Sequence, residues 1–179
     1  MASPERPQIL LLSLSYRDFL DETYSPLFDS LVQSAHQVES YIHNGGLAIV
    51  GLHFPNFTTM DKFTNFFSVF GLPWTNGDYH RSSFEFNPAC SLPNSAAPSS
   101  FPAPYSMKVL HIKNAKPHEK VFVPDQGAQT QSLVFAAESV DHSQAAVTAA
   151  RLGEGYLVYC GDVNGEVGSN RFMLALCGF

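Results

Sequence analysis

Two hydrophobic periods lay out the first half of the chain. "PQILLLSLS" (residues 7–15) is a continuous apolar run of strand length, the pattern of a strand buried on both faces. In "SPLFDSLVQSAHQVESYIHNGG", Ser25 suits a cap and Pro26 the first helical position, while Leu27, Leu31, Val38 and Ile42 recur at helical spacing. Gly45 supplies the left-handed residue on which such a helix ends. The apolar run "LAIV" then predicts a second buried strand, followed at once by His53 and Pro55. Strand, crossover helix and strand make a βαβ unit, so these two strands are expected to be parallel.

A second helix is expected in "TTMDKFTNFFSVFGLPW". Thr58 or Thr59 caps it, Phe63, Phe66, Phe67 and Phe70 form one apolar face, and Gly71 and Pro73 stop it. "HRSSFEFN" alternates like a half-buried strand. Residues 88–104, "PACSLPNSAAPSSFPAP", have no period and are dense in Pro, Ser and Ala, so a flexible loop within the domain is expected. The last third reads as strand-rich: "SMKVLHIK", "EKVFVP", "SLVFAAES", "AAVTAARL" and "GYLVYC", with Gly153 and Gly155 turning a hairpin. "NRFMLALCGF" closes the chain as a short apolar helix. The whole, residues 1–179, is expected to be one three-layer α/β domain. Its sheet should be mostly parallel and flavodoxin-like, with an antiparallel C-terminal section.

Composition narrows the function classes. The chain is 45% apolar and 15% charged, which suits a globular domain. A net charge of −6, with ten Lys and Arg and none in a run, argues against a nucleic-acid groove or an anionic membrane surface. No segment reaches the roughly 18 apolar residues of a membrane span. Three scattered cysteines make neither a disulfide framework nor a CxxC metal site, so a reducing, cytoplasmic setting is expected. Walker, GxGxxG and GxSxG motifs are absent, and no cofactor is expected.

Three places can carry chemistry. His53 stands where a buried strand hands over to a loop, and in open α/β sheets ligands bind outside the carboxyl ends of strands. It reads either as a general base or as a histidine that hydrogen-bonds a loop carbonyl. "GDVNGE" gathers Asp162, Asn164 and Glu166 on one turn, as acid–base partner, oxyanion donor and binding group, or simply as turn formers. "WTNGDYHRSSF" sets Asp78, Tyr79, His80 and Arg81 in a row. Strand alternation puts Tyr79 and Arg81 on one face and Asp78 and His80 on the other. Arg81 suits a carboxylate ligand, or an ion pair with Asp78 or Glu85. His53, His80 and Asp162 suit a metal by residue type, yet no HxH or HExxH spacing supports one, and no metal is expected.

Three blocks carry a family resemblance: "GGLAIVGLHF", "FGLPWTNGDYHRSSFEFN" and "GEGYLVYCGDVNGE…LALCG". Over about residues 8–178 the chain resembles the class I glutamine amidotransferase-like superfamily, in particular its ThuA-like branch and a group of fungal amidotransferase-like proteins. The resemblance implies a catalytic elbow at the end of the strand before His53. Where true amidotransferases carry a cysteine, this chain has His53, and their later His-x-Glu is matched by Asn164-x-Glu166. The Cys–His–Glu triad is missing, so glutamine hydrolysis through a thioester is not expected.

The implied activity is acid–base chemistry on a polar, carbonyl-containing metabolite of secondary metabolism. His53, Asp162 and His80 would be catalytic, and Tyr79, Arg81, Asn164 and Glu166 would hold the substrate. The alternative is a pseudoenzyme that binds a metabolite or a partner protein. The superfamily's usual first strand–helix–strand does not precede residue 7, so the fold is expected to be shortened at its N-terminal side. That would leave the edge "QILLLSL" open, and a homodimer is expected to close it.

Overall fold

A computed structural model describes residues 9–12 and 35–179 of the chain. The strand at residues 7–15 is seen as β1 (Ile9–Leu12). The expected start of the first helix, with Ser25, Pro26, Leu27 and Leu31, lies outside the described residues. Then come α1 (Ala35–His43), β2 (Leu47–Val50), α2 (Phe54–Phe57), α3 (Met60–Val69) and β3 (Thr75–Phe86). β4 (Tyr105–Lys113), β5 (Lys120–Pro124), β6 (Val147–Leu152), β7 (Gly155–Cys160) and α4 (Val167–Leu176) complete the order, with short 3-10 turns at Pro98–Ser100 and Pro117–Glu119.

The sheet has seven strands in the order β1-β2-β7-β6-β5-β3-β4. β1 and β2 are parallel neighbours, as the βαβ reading requires, and β2 pairs β7 in parallel. The four remaining pairings are antiparallel. The expectation of a mostly parallel, flavodoxin-like sheet is therefore overturned: the sheet is mixed, and antiparallel over most of its width. Hydrophobic period identifies strands but not their direction. From β3 onward, no helix intervenes to make a parallel crossover.

Alternation along β2 and β7 builds two cores. Ala48, Val50, Leu157 and Tyr159 face one core with Val38 and Ile42 of α1 and Phe63, Phe66 and Phe67 of α3. Leu47, Ile49, Val158 and Cys160 face the other, under Phe172, Ala175 and Leu176 of α4 and Phe101. The phenylalanine stripe is thus core. Gly45 ends α1 at φ 100° and Gly71 ends α3 at φ 67°, both in the left-handed region that glycine tolerates. β1 departs from its expected double burial: Leu10 and Leu12 pack against the first core, while Ile9 and Leu11 stay exposed on the other side.

Two further segments complete the described chain. Residues 88–104 lack strands but are anchored, with Phe101 buried against Phe172 at 5.0 Å and Ser95 Oγ donating to the Leu176 carbonyl. "SLVFAAES" is no strand. The Ser132 hydroxyl accepts the N–H groups of Val134 and Phe135, a local turn that competes with extended backbone.

The sheet also curls back on itself. β4 meets the chain leaving β7: Leu110 N–H donates to the Gly161 carbonyl at 3.0 Å and Val163 N–H to the Lys108 carbonyl at 3.0 Å. Ile112 and Ala145 exchange two further bonds of 2.9 and 3.1 Å. This closure needs a residue without a side chain. A Cβ on Gly161 would stand 2.3 Å from the Leu110 carbonyl oxygen and 3.0 Å from that of Ala146. Gly161→Ala should therefore lower stability by about 1–3 kcal/mol, the range for overpacking a tight interior. Urea unfolding checks this, and an unchanged midpoint would mean that the crossing has slack.

Candidate functional site

The elbow after β2 is built by competition between neighbours. Gly51 leaves the strand, Leu52 turns it at φ 55°, and α2 begins. Phe54 takes the inward direction, 5.1 Å from Phe66 and 5.9 Å from Phe63, ring centre to ring centre. Its neighbour His53 is consequently exposed, with its ring 5.7 Å from Phe57. Asn56 ties the elbow to the second turn, its Nδ2 donating to the Val163 carbonyl at 2.7 Å.

On that second turn Asp162 is buried, and each of its oxygens is taken by the backbone. Oδ1 accepts Asn164 N–H at 2.9 Å and Oδ2 accepts Glu166 N–H at 2.7 Å. Glu166 is the cap residue of α4, so Asp162 fixes where that helix starts. Asn164 is exposed at the tip. Glu166 turns back to β3, where its Oε1 takes Arg81 Nη2 at 2.6 Å. Arg81 Nη1 also donates to Ser106 Oγ at 3.2 Å, and Ser106 donates in turn to Gln131.

The register of β3 on β4 sets what each neighbour does. Tyr79 lies opposite Leu110, His80 opposite Val109 and Arg81 opposite Lys108. Tyr79 and Arg81 therefore share a face with Lys108, whose Nζ lies 4.8 Å over the Tyr79 ring. His80 points the other way and stacks on His111, with ring centres 4.5 Å apart. His111 Nδ1 lies 2.8 Å from the Asp78 carbonyl, which can only accept, so Nδ1 carries the hydrogen. The Nε2 atoms of both rings are buried without a partner. Burial lowers the pKa of His80, and it lowers that of His111 to about 4. Both rings are neutral at pH 7. Asp78 pairs with Lys113 at 3.4 Å and accepts from Gln144 Nε2 at 2.8 Å, which makes it part of a structural network.

The seven expected site residues thus divide. Tyr79, His80 and Arg81 border one cleft of about 650 Å³, together with Lys108, Gln131 and the loop that carries Leu133 and Phe135. Glu166 reaches that cleft's wall through Arg81, and Asp162 positions Glu166. His53 and Asn164 lie at turn surfaces outside the cleft lining. Sequence reading missed His111 and Lys108. Strand parity puts His111 with Met107 and Val109, and Lys108 with Leu110 and Ile112, but both faces are core, so the period alone held no signal.

Among the described residues, no three His, Cys, Asp or Glu side chains gather as a metal would need. The cysteines are free, and burial pushes the Cys90 thiol up to about 11 and the Cys160 thiol up to about 12, far from nucleophilic thiolates. No helix among the described residues is long and apolar enough to cross a membrane.

The buried His111 and the half-buried His80 make stability depend on pH. In the unfolded chain each binds a proton below about pH 6.5, while the folded protein resists it, so stability falls as pH drops from 6.5 toward 4. For His111 the loss is about 3 kcal/mol across that window. Urea midpoints at pH 7 and 4.5 measure it, and His111→Gln should remove most of the slope. An equal slope in that variant would contradict the assignment.

No protein-family model matches the chain, and no curated protein does. Among solved structures, the chain is similar to the β-galactosidase of Bacillus circulans sp. alkalophilus, with 11% identity and a TM-score of 0.46, over 95% of this chain and 22% of that one. It is also similar to the cold-adapted β-galactosidase of Rahnella sp. R3, with 9% identity and a TM-score of 0.38, over 79% of this chain and 20% of that one. The chain thus spans about a fifth of the length of these enzymes.

Proposed function

We propose that this chain is a non-catalytic binding module of the amidotransferase-like type, closest in character to its ThuA-like branch. It holds a polar, carbonyl-containing metabolite in the cleft at Tyr79, His80 and Arg81. One observation supports this reading: the polar groups at and beside the cleft are already engaged or turned inward. Asp162 closes its own turn, Arg81 is ion-paired to Glu166, and the His80 and His111 Nε2 atoms are buried. A general base has to reach the proton it removes, and none of these atoms faces the cleft ready to do so.

A second reading, an acid–base enzyme working at His53, is favoured by a different observation. Leu52, a bulky residue, is held at φ 55° just before His53. Such strain costs on the order of 1–3 kcal/mol and gathers at functional turns. A thermal-shift screen of carbonyl-containing metabolites separates the two. A ligand at 100 times its dissociation constant adds about 2.7 kcal/mol. The binding reading expects that shift to vanish in Tyr79→Ala, to survive in His53→Ala, and to leave the ligand unchanged by NMR. Loss in His53→Ala alone, or a converted ligand, establishes the enzyme instead.

We also propose that the module is a cytoplasmic homodimer with no nucleic-acid partner, consistent with three free cysteines and a net charge of −6. Among the described residues β1 has no strand on its outer side, and Ile9, Leu11, Met173 and Leu174 border an apolar groove of about 320 Å³ beside it. Light scattering at micromolar concentration should give about twice 19.7 kDa, and Leu11→Lys should halve it. A wild-type mass near 19.7 kDa overturns the dimer.

A further inference from the structure

We infer that the ligand of the cleft is a monoanion with an apolar body, its carboxylate held by Lys108 and its body covered by Leu133 and Phe135. This rests on the cleft being the binding site.

The apolar part comes from an unusual loop. Leu133, Val134 and Phe135 stand 107, 82 and 78% exposed, yet the backbone that carries them is tied down. At the neck, Thr130 N–H donates to the Glu138 carbonyl at 2.8 Å, and Glu138 N–H returns a bond to Thr130 Oγ1 at 3.0 Å. Gln131 N–H donates to the Arg81 carbonyl at 2.8 Å, and Ser82 Oγ donates to the Gln129 carbonyl at 2.8 Å, fixing the base to β3. At the tip, Ser132 Oγ takes two N–H groups at 3.1 Å each. Three large apolar side chains are therefore displayed on a preorganised support, and Leu133 and Phe135 border the cleft directly. Exposed apolar patches of this kind mark binding surfaces.

The charge comes from counting what is already matched. Arg81 is neutralised by Glu166, and His80 is uncharged at pH 7 because burial disfavours its cation. Lys108 has no ion-pair partner among the described residues, and its ammonium is held over Tyr79. Of the cleft's two lining cations, it is the one without an ion-pair partner. Glu138, also on the lining, sets a limit in the other direction: its carboxylate repels a second negative charge. One anion beside Tyr79 and an apolar body under residues 133–135 fit this lining. A phosphomonoester, with nearly two charges, fits it poorly.

The experiment is calorimetric titration of the full chain with butanoate, hexanoate and octanoate, and with octan-1-ol and octyl phosphate for comparison. Affinity should rise about fourfold for each methylene buried, octanoate should bind at least tenfold more tightly than either comparison ligand, and Tyr79→Ala should weaken it. Lys108→Met should erase the advantage over octan-1-ol. Leu133→Ser and Phe135→Ser, both at exposed positions where folding is not at stake, should flatten the dependence on length. Equal binding of octan-1-ol, or a length dependence that survives both serine variants, overturns the inference. So does the absence of carboxylate binding when another metabolite binds in a Tyr79-dependent way, and in that case the cleft reading itself stands. Octanoate binding that ignores Tyr79→Ala and is lost in His53→Ala sinks both.

Discussion

The closure of β4 onto the chain leaving β7 is the contact on which the rest of the described structure depends. A seven-stranded sheet that ended at β4 would leave a row of open backbone groups, and buried or exposed, such groups have to be dealt with. Here residues 161–163 and Ala145 take them up. The crossing also gives the buried Tyr159 hydroxyl its acceptor, the Leu110 carbonyl at 2.8 Å. Because Gly161 pins the turn that follows, Asp162 can hold Glu166, and Glu166 can face Arg81 across the gap between β7 and β3. The wall of the cleft is thus a by-product of how the sheet satisfies its own edge.

What could be read from the chain followed from local period, and what could not followed from pairing. The βαβ start, the Phe63–Phe70 stripe and the hairpin at Gly153 are local patterns, and they reappear in β1, α1, β2, α3 and the β6–β7 pair. Strand direction beyond β2 is a long-range property that no window of residues reports, which is why the parallel, flavodoxin-like expectation failed. "SLVFAAES" failed for another reason: its composition suits a strand, yet Ser132 supplies a local alternative and no neighbouring strand outcompetes it.

The candidate site was legible to the same degree. Tyr79 and Arg81 on one face and His80 on the other follow from strand alternation alone. The outward turn of His53 was also open to reading, since His53 and Phe54 are adjacent and only one of them can enter the aromatic core. The fate of Asp162 was not. "GDVNGE" has the same composition whether its carboxylate faces a ligand or its own backbone, and the outcome depends on where α4 begins.

Which side chains face the cleft is decided by one extra residue in β3. Asn76 lies opposite Ile112, but Tyr79 lies opposite Leu110, so three steps along β3 match two along β4. This is the signature of a β-bulge. In an unbroken ladder Tyr79 would fall opposite Val109 and His80 opposite Lys108; the bulge exchanges their faces. Its geometry is held by Gln144, which accepts Asp78 N–H through Oε1 and donates through Nε2 to both Asp78 and Asp141. Gly77 is required beside it, because a Cβ there would stand 2.2 Å from Gln144 Oε1. One glycine and one buried amide therefore determine that Tyr79, Arg81 and Lys108 meet at a surface, while His80 turns inward against the buried His111. The cleft and the acid-sensitive histidine pair are two faces of the same bulge.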